Sequence, residues 1–142
     1  MAVAVFDADV LIAYLGREDA NHAAAVERMR RALEPGMRRM ISAINYTEVL
    51  IGPLRHAGSA GADTVDAMLV RFGIETIQAD LALARRAAAV RVRTRLKLPD
   101  AYALATALHA EKRGHDDVRL ESFDEKVVRA YEALHPVPPD LG

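Results

Sequence analysis

The chain has 142 residues and a formal net charge of −1; 51% of its residues are hydrophobic, 5% are aromatic, and none is cysteine. That length suits one domain with enough core to fold unaided, and the missing cysteines exclude disulfides, thiolate metal sites and cysteine nucleophiles. The balanced charge excludes the overall basic footprint of a non-specific nucleic-acid binder, and the scarcity of aromatic rings argues against base stacking as a recognition mode.

Val3 to Phe6 reads as a buried strand and Ala8 to Leu15 as a short helix stopped near Gly16. Asn21 to Leu33 repeats apolar residues at helical spacing, with Asp19 or Asn21 as candidate N-cap and Glu34-Pro35-Gly36 as terminator. Arg39 to Ala43 is a second strand candidate. Asn45 to Leu54 reads as a helix that breaks near Gly52-Pro53, and the small and polar residues from Gly58 to Asp63 read as a loop. Thr64 to Phe72 is helical, Ile74 to Ile77 alternates like a third strand, and a long helix runs from about Ala79 to Leu96.

Pro99 marks a further helix start, and the alanine-rich stretch Asp100 to Glu111 is apolar all round, as a helix buried in mid-domain would be. Val118 to Ser122 is the fourth strand and Glu125 to Leu134 the last helix. The Pro-rich segment from His135 is expected to fray. Strands separated by helices cannot be hairpin partners, so the order predicts a three-layer α/β domain with a small, mainly parallel sheet.

In such sheets the chemistry lies beyond the carboxyl ends of the strands. Asp7 stands there, after Val3-Ala4-Val5-Phe6, with Asp9 two residues on. Glu48 sits in an apolar helix, Asp100 opens the most apolar one, and Asp124 follows the fourth strand. Asp7, Asp100 and Asp124 each also suit a helix N-terminus, and Glu48 also suits a surface ion pair. Jointly they are the oxygen donors that hard cations such as Mg²⁺ or Mn²⁺ take.

These residues resemble the PIN-domain ribonucleases, especially the VapC-type toxins of type II toxin-antitoxin systems. The resemblance rests on Phe6-Asp7-Ala8-Asp9-Val10-Leu11-Ile12, Thr47-Glu48-Val49-Leu50-Ile51-Gly52, Leu98-Pro99-Asp100-Ala101 and Ser122-Phe123-Asp124, and covers nearly the whole chain. It implies a PIN-like α/β/α domain over residues 1–134 followed by a C-terminal tail over 135–142. It also implies that Asp7, Glu48, Asp100 and Asp124 bind Mg²⁺, with Mn²⁺ as a substitute, and hydrolyse RNA to a 5′-phosphate and a 3′-hydroxyl. A cognate antitoxin and a homodimer are the implied partners. The sequence departs from the common pattern at Asp9, where a small hydroxyl or amide residue is frequent, and at Ser122, where threonine is more usual; both are possible auxiliary metal-site residues.

Asp7-Ala8-Asp9-Val10 after a strand also resembles the haloacid-dehalogenase-like phosphatases, with Ser42 as phosphate-binding hydroxyl and Asp116-Asp117 as metal acids. Against it, Asp116 and Asp117 precede their strand, and Glu48 and Asp100 would have no role. A third reading is a non-catalytic PIN-fold binding module. The five histidines show no metal-ligand spacing. The basic run Arg85, Arg86, Arg91, Arg93, Arg95 and Lys97 leads towards Asp100 and could guide an RNA backbone. With no signal-peptide pattern and no apolar run of about 18 residues, a cytoplasmic protein without a membrane segment is expected.

Overall fold

β1 (Ala2–Phe6) runs through the centre of the domain, and its alternation creates two cores. Val3 and Val5 point into one, and Ala4 and Phe6 into the other, all at most 1% exposed. A strand buried on both faces needs a helical layer on each side. The computed structural model describes residues 1–141. Four strands form an all-parallel sheet in the order β3-β2-β1-β4, with β2 at Met37–Ser42, β3 at Ile74–Ile77 and β4 at Asp117–Glu121.

Seven helices flank the sheet among the described residues. α1 (Ala8–Leu15), α2 (His22–Ala32), α3 (Ala43–Ala57) and α4 (Ser59–Arg71) cover the face of Phe6 and Ile41, whereas α5 (Leu81–Thr94), α6 (Leu98–Lys112) and α7 (Glu125–Ala133) cover that of Val5 and Leu120. The expected α/β/α architecture is therefore present, with every strand pair parallel. The chain builds outward from β1 to β2 and β3, then crosses to the other side of β1 for β4. That reversal puts the switch point of the sheet at the carboxyl ends of β1 and β4, the position at which open α/β sheets bind ligands.

Two element boundaries differ from expectation for one reason. α3 continues through Pro53 to Ala57, and α4 begins at Ser59, so the segment read as a loop is a helix start behind Gly58 at φ 59°. Gly61 is buried against α3: a Cβ there would lie 2.0 Å from the Pro53 carbonyl oxygen. Gly61 thus permits the close approach of α4 to α3 at Pro53. At β4, Ser122 falls outside the strand, which ends at Glu121.

The tail does not fray within the described residues. Leu141 is 1% exposed in the α5/α6 core, its carbonyl accepts from Arg86 Nε at 3.0 Å, and Asp140 pairs with Arg93 at 2.7 Å. One buried leucine and two arginine contacts supply what the proline-rich composition concealed. Gly142 lies outside the described residues.

Candidate metal centre

Asp7 ends β1, where its backbone N–H donates to the Glu121 carbonyl at 2.9 Å and so stitches the two strand ends together. Its side chain is 4% exposed; Oδ1 accepts from Ala8 N at 2.8 Å as the N-cap of α1, and Oδ2 accepts from the Ser122 hydroxyl at 2.9 Å. Capping and membership of an acidic cluster are therefore compatible. Burial, and then the charge of Asp9, push the Asp7 carboxyl up to about 7, with Asp100 adding to the effect while the Ser122 and Ala8 hydrogen bonds oppose it.

Asp9, in the first turn of α1, reaches across to the segment after β4. Its Oδ2 accepts from Phe123 N at 2.9 Å, while Oδ1 is buried with no hydrogen-bond partner. Buried carboxylate oxygens without partners are costly, so this atom marks a place where the protein alone leaves a demand unmet. Burial raises its proton affinity, the Phe123 and Val10 N–H groups lower it, and the charges of Asp100 and Asp124 raise it.

Glu48 and Asp100 come from the helices on either side of the sheet. α3 is capped by Ser42, whose Oγ accepts from Asn45 N at 3.0 Å, and α6 carries Pro99 and Asp100 in its first turn. Asn45, fully buried, joins them: Nδ2 donates to Glu48 Oε1 at 3.1 Å and to the Pro99 carbonyl at 3.0 Å. The sequence analysis has Asn45 only as the first residue of a helix. Its signal is the Ser42-x-x-Asn45-x-x-Glu48 spacing, which puts a cap and two inward polar groups on one helix face. Burial first, then Asp100 and Asp9, raise Glu48, and Asn45 opposes; Asp100 is raised by burial and Asp124 and lowered by Lys97.

Asp124 is held by the same turn. Its N–H donates to Ser122 Oγ at 3.1 Å, and its Oδ1 caps α7 by accepting from Lys126 N at 2.9 Å. Ser122, buried at 2% exposure, thus donates to Asp7 and accepts from Asp124 N. Phe123 was missed as a backbone donor. Arg28 supports this turn from α2, lying 5.1 Å from the Phe123 ring centre and 3.5 Å from Glu121.

Asp7, Asp9, Glu48, Asp100 and Asp124 therefore act on one another electrostatically, and none forms an ion pair among the described residues. An all-oxygen donor set in which Asp7, Asp9, Glu48 and Asp100 have raised proton affinities, with one orphaned oxygen and no ion-paired member, fits a hard divalent cation. No group of three or more His, Asp or Glu side chains among the described residues is already arranged to hold a metal ion. The acids are thus brought to the carboxyl end of the sheet without forming a closed cage.

Other expected sites fall elsewhere. Ser42 is fully buried between Asn45 and the α3 backbone, and Asp117 pairs with Ala2 at the opposite edge of the sheet from the Phe6–Glu121 pair. Asp116 binds the N-terminal ammonium, and Asp117 binds Arg119. The phosphatase arrangement is therefore not assembled. Within the basic run, Arg86, Arg91 and Arg93 are committed to Leu141, Leu96 and Asp140, which leaves Arg85, Arg95 and Lys97 for any backbone contact. His135 pairs with Glu111 at 2.8 Å beside Tyr131, away from the acids. No helix among the described residues is long and apolar enough to cross a membrane.

An apolar groove of about 460 Å³ runs beside Glu48 between α1, α3 and α4, lined by Ile12, Leu15, Val49, Pro53 and Ala57 among others. Ile12 and, nearby in sequence on α3, Ile51 and Leu54 are more than 40% exposed.

The fold is similar to that of VapC20 from Mycobacterium tuberculosis, described as a sarcin–ricin loop cleaving toxin. That similarity has a TM-score of 0.67 and 20% identity, over 92% of this chain and 95% of the other. It is also similar to a chain of a toxin–antitoxin complex from Klebsiella pneumoniae (TM-score 0.54, 29% identity, 78% and 81% covered). A third similarity is to a chain of VapBC2 from Rickettsia felis bound to a promoter DNA fragment (TM-score 0.57, 14% identity, 87% and 100% covered). No curated protein matches the sequence significantly. The PIN domain family itself matches residues 4–134, from the third residue of the central strand to the residue that caps the last helix, and the chain belongs to that family.

Proposed function

We propose that this protein is a divalent-metal-dependent ribonuclease and the toxin of a toxin–antitoxin pair. PIN domains are typically nucleases that bind Mg²⁺. The observation that carries the reading here is a cluster of five carboxylates, none of them ion-paired among the described residues, in which Asp9 Oδ1 is buried and unsatisfied. Asp7, Glu48, Asp100 and Asp124 would hold Mg²⁺ or Mn²⁺, with Asp9 as a further oxygen donor.

When bound, such an ion neutralises charge on phosphoryl oxygens and lowers the pKa of a water, which removes the need for a serine or histidine nucleophile. The chain's own residues orient the acids. Ser122 fixes Asp7 and the Asp124 backbone, Phe123 N fixes Asp9, and Asn45 fixes Glu48 relative to Asp100 through Pro99. Asp7, whose carboxyl is pushed up to about 7 by burial and Asp9, would hold the ion as its carboxylate, so the site would favour metal more strongly as pH rises.

Two of the structural relatives were determined as toxin–antitoxin assemblies. The antitoxin of this chain would lay an apolar segment in the groove beside Glu48 and so cover the acids. A homodimer and a cytoplasmic setting complete the reading.

The test is incubation of the purified protein with structured RNA and, separately, a chromogenic phosphomonoester, each with Mg²⁺ and with chelator. RNA should be cleaved only with metal, and Asp7→Asn should abolish cleavage while leaving the fold intact. Intact RNA with metal, or hydrolysis of the phosphomonoester instead, overturns the assignment.

A further inference from the structure

A second cavity, of about 500 Å³, opens at the other end of α1, between α1, α2 and α4. Its size is that of a small-ligand site, and no Asp or Glu lines it. Although the chain has only four tyrosines and three phenylalanines, two of these seven rings meet here. Tyr14 and Phe72 stand edge to face at 5.5 Å and 85°, with the His22 ring 6.3 Å from Tyr14.

The polar groups have a definite sense. His22 Nδ1 lies 2.9 Å from the Ala13 carbonyl, which only accepts, so Nδ1 carries a proton, and in the neutral form of the ring Nε2 is an acceptor. Arg17 and Arg71 line the same cavity and make no hydrogen bond or ion pair among the described residues; the Arg71 guanidinium lies 5.2 Å from the Phe72 ring centre. Two unpaired, fork-shaped cations beside aromatic rings complement a phosphate joined to a flat base.

We propose that this cavity is a nucleotide subsite, which takes the base and phosphate of an RNA nucleotide close to the cleaved bond. Arg17 and Arg71 hold the phosphate, the Tyr14 and Phe72 rings pack on the base, and His22 Nε2 accepts from an exocyclic amine or a ribose hydroxyl. An acidic peptide would satisfy the arginines but leave the rings and the histidine acceptor without a role. The proposal rests on the ribonuclease reading, because α1 links the two sites. Asp7 caps its start and Tyr14 lies in its last turn, and its 8 residues span roughly 12 Å.

The protein, kept in chelator, is titrated with nucleoside 5′-monophosphates, inorganic phosphate and a glutamate-rich peptide while the backbone amide resonances of His22, Thr64 and Arg71 are followed. The monophosphates should shift these resonances and bind more tightly than phosphate alone, and Arg17→Ala/Arg71→Ala should weaken them about tenfold. With RNA and Mg²⁺ the same double variant should lose efficiency through KM rather than kcat. No shift with monophosphates, stronger binding of the peptide, or an unaltered KM overturns the subsite. Binding in chelator without RNA cleavage would instead remove the nuclease reading and leave a nucleotide site, so the two failures are distinguishable.

Discussion

Phe123 donates its backbone N–H to Asp9 Oδ2 at 2.9 Å, joining residues 114 positions apart, while the other oxygen of the same carboxylate is buried without a partner. One oxygen is held by the backbone while the other is left without a hydrogen-bond donor. Asp9→Asn keeps an acceptor for Phe123 and removes a charge that raises Asp7 and Glu48. The variant should be about 1 kcal/mol more stable than wild type in chelator and should bind Mg²⁺ more weakly. Chemical denaturation and calorimetric titration read both; unchanged metal affinity would remove Asp9 from the donor set.

The metal-free protein should lose stability as pH rises from about 4 to 7. Asp7 has a folded-state pKa of about 7 against an ordinary 3.8, so between those values the native state holds a proton that the unfolded chain has released. Stability therefore falls with pH across the window, by up to about 4 kcal/mol for a shift of this size. Urea unfolding in chelator should show the decline, and Asp7→Asn should flatten it. Added Mg²⁺ should raise stability most at the upper end, where the carboxylates are ionised. A wild-type curve that rises over this range would contradict the burial of Asp7.

Asn45→Ala should cost about 2–3 kcal/mol in stability, because it strips buried partners from Ser42, Glu48 and the Pro99 carbonyl. It should also raise the proton affinity of Glu48, since the Asn45 hydrogen bond is what lowers it. Thermal melts and the pH dependence of metal binding check the two effects.

Gly61→Ala should destabilise the domain by about 2 kcal/mol despite the better helix propensity of alanine, because its Cβ would stand 2.0 Å from the Pro53 carbonyl oxygen. Gly52→Ala, with nothing within 4 Å, should be neutral or stabilise by up to about 1 kcal/mol. Equal melting temperatures for the two variants would refute the close α3–α4 approach.

Leu141→Ala should cost about 2 kcal/mol or more, as expected for a fully buried leucine. A denaturation midpoint at the wild-type value would mean that the tail does not dock on α5.

Much of the fold was legible in the sequence because its signals are local. The apolar run Val3-Ala4-Val5-Phe6 and the alternating Ile74 to Ile77, separated by helical periodicities, already imply a parallel sheet between helical layers, and carboxylates at strand ends already point to a site there. The boundaries that slipped are those decided by packing. Pro53 and Gly61 read as breakers until each is seen to serve the other, and Leu141 reads as a tail residue until a core is present to receive it.

The sequence by itself determined the element order, the acid at the end of the first strand and the set of candidate carboxylates, since these follow from residue type and spacing along one chain. Only the tertiary structure decided that β4 lies beside β1, and hence that Ser122 and Phe123 hold Asp7 and Asp9. It alone brought Asn45 between Glu48 and Pro99, and Tyr14, His22 and Phe72 round one cavity with two arginines. Strand order and helix packing are non-local: they depend on which apolar faces bury each other, and spacing along the chain carries no record of that choice.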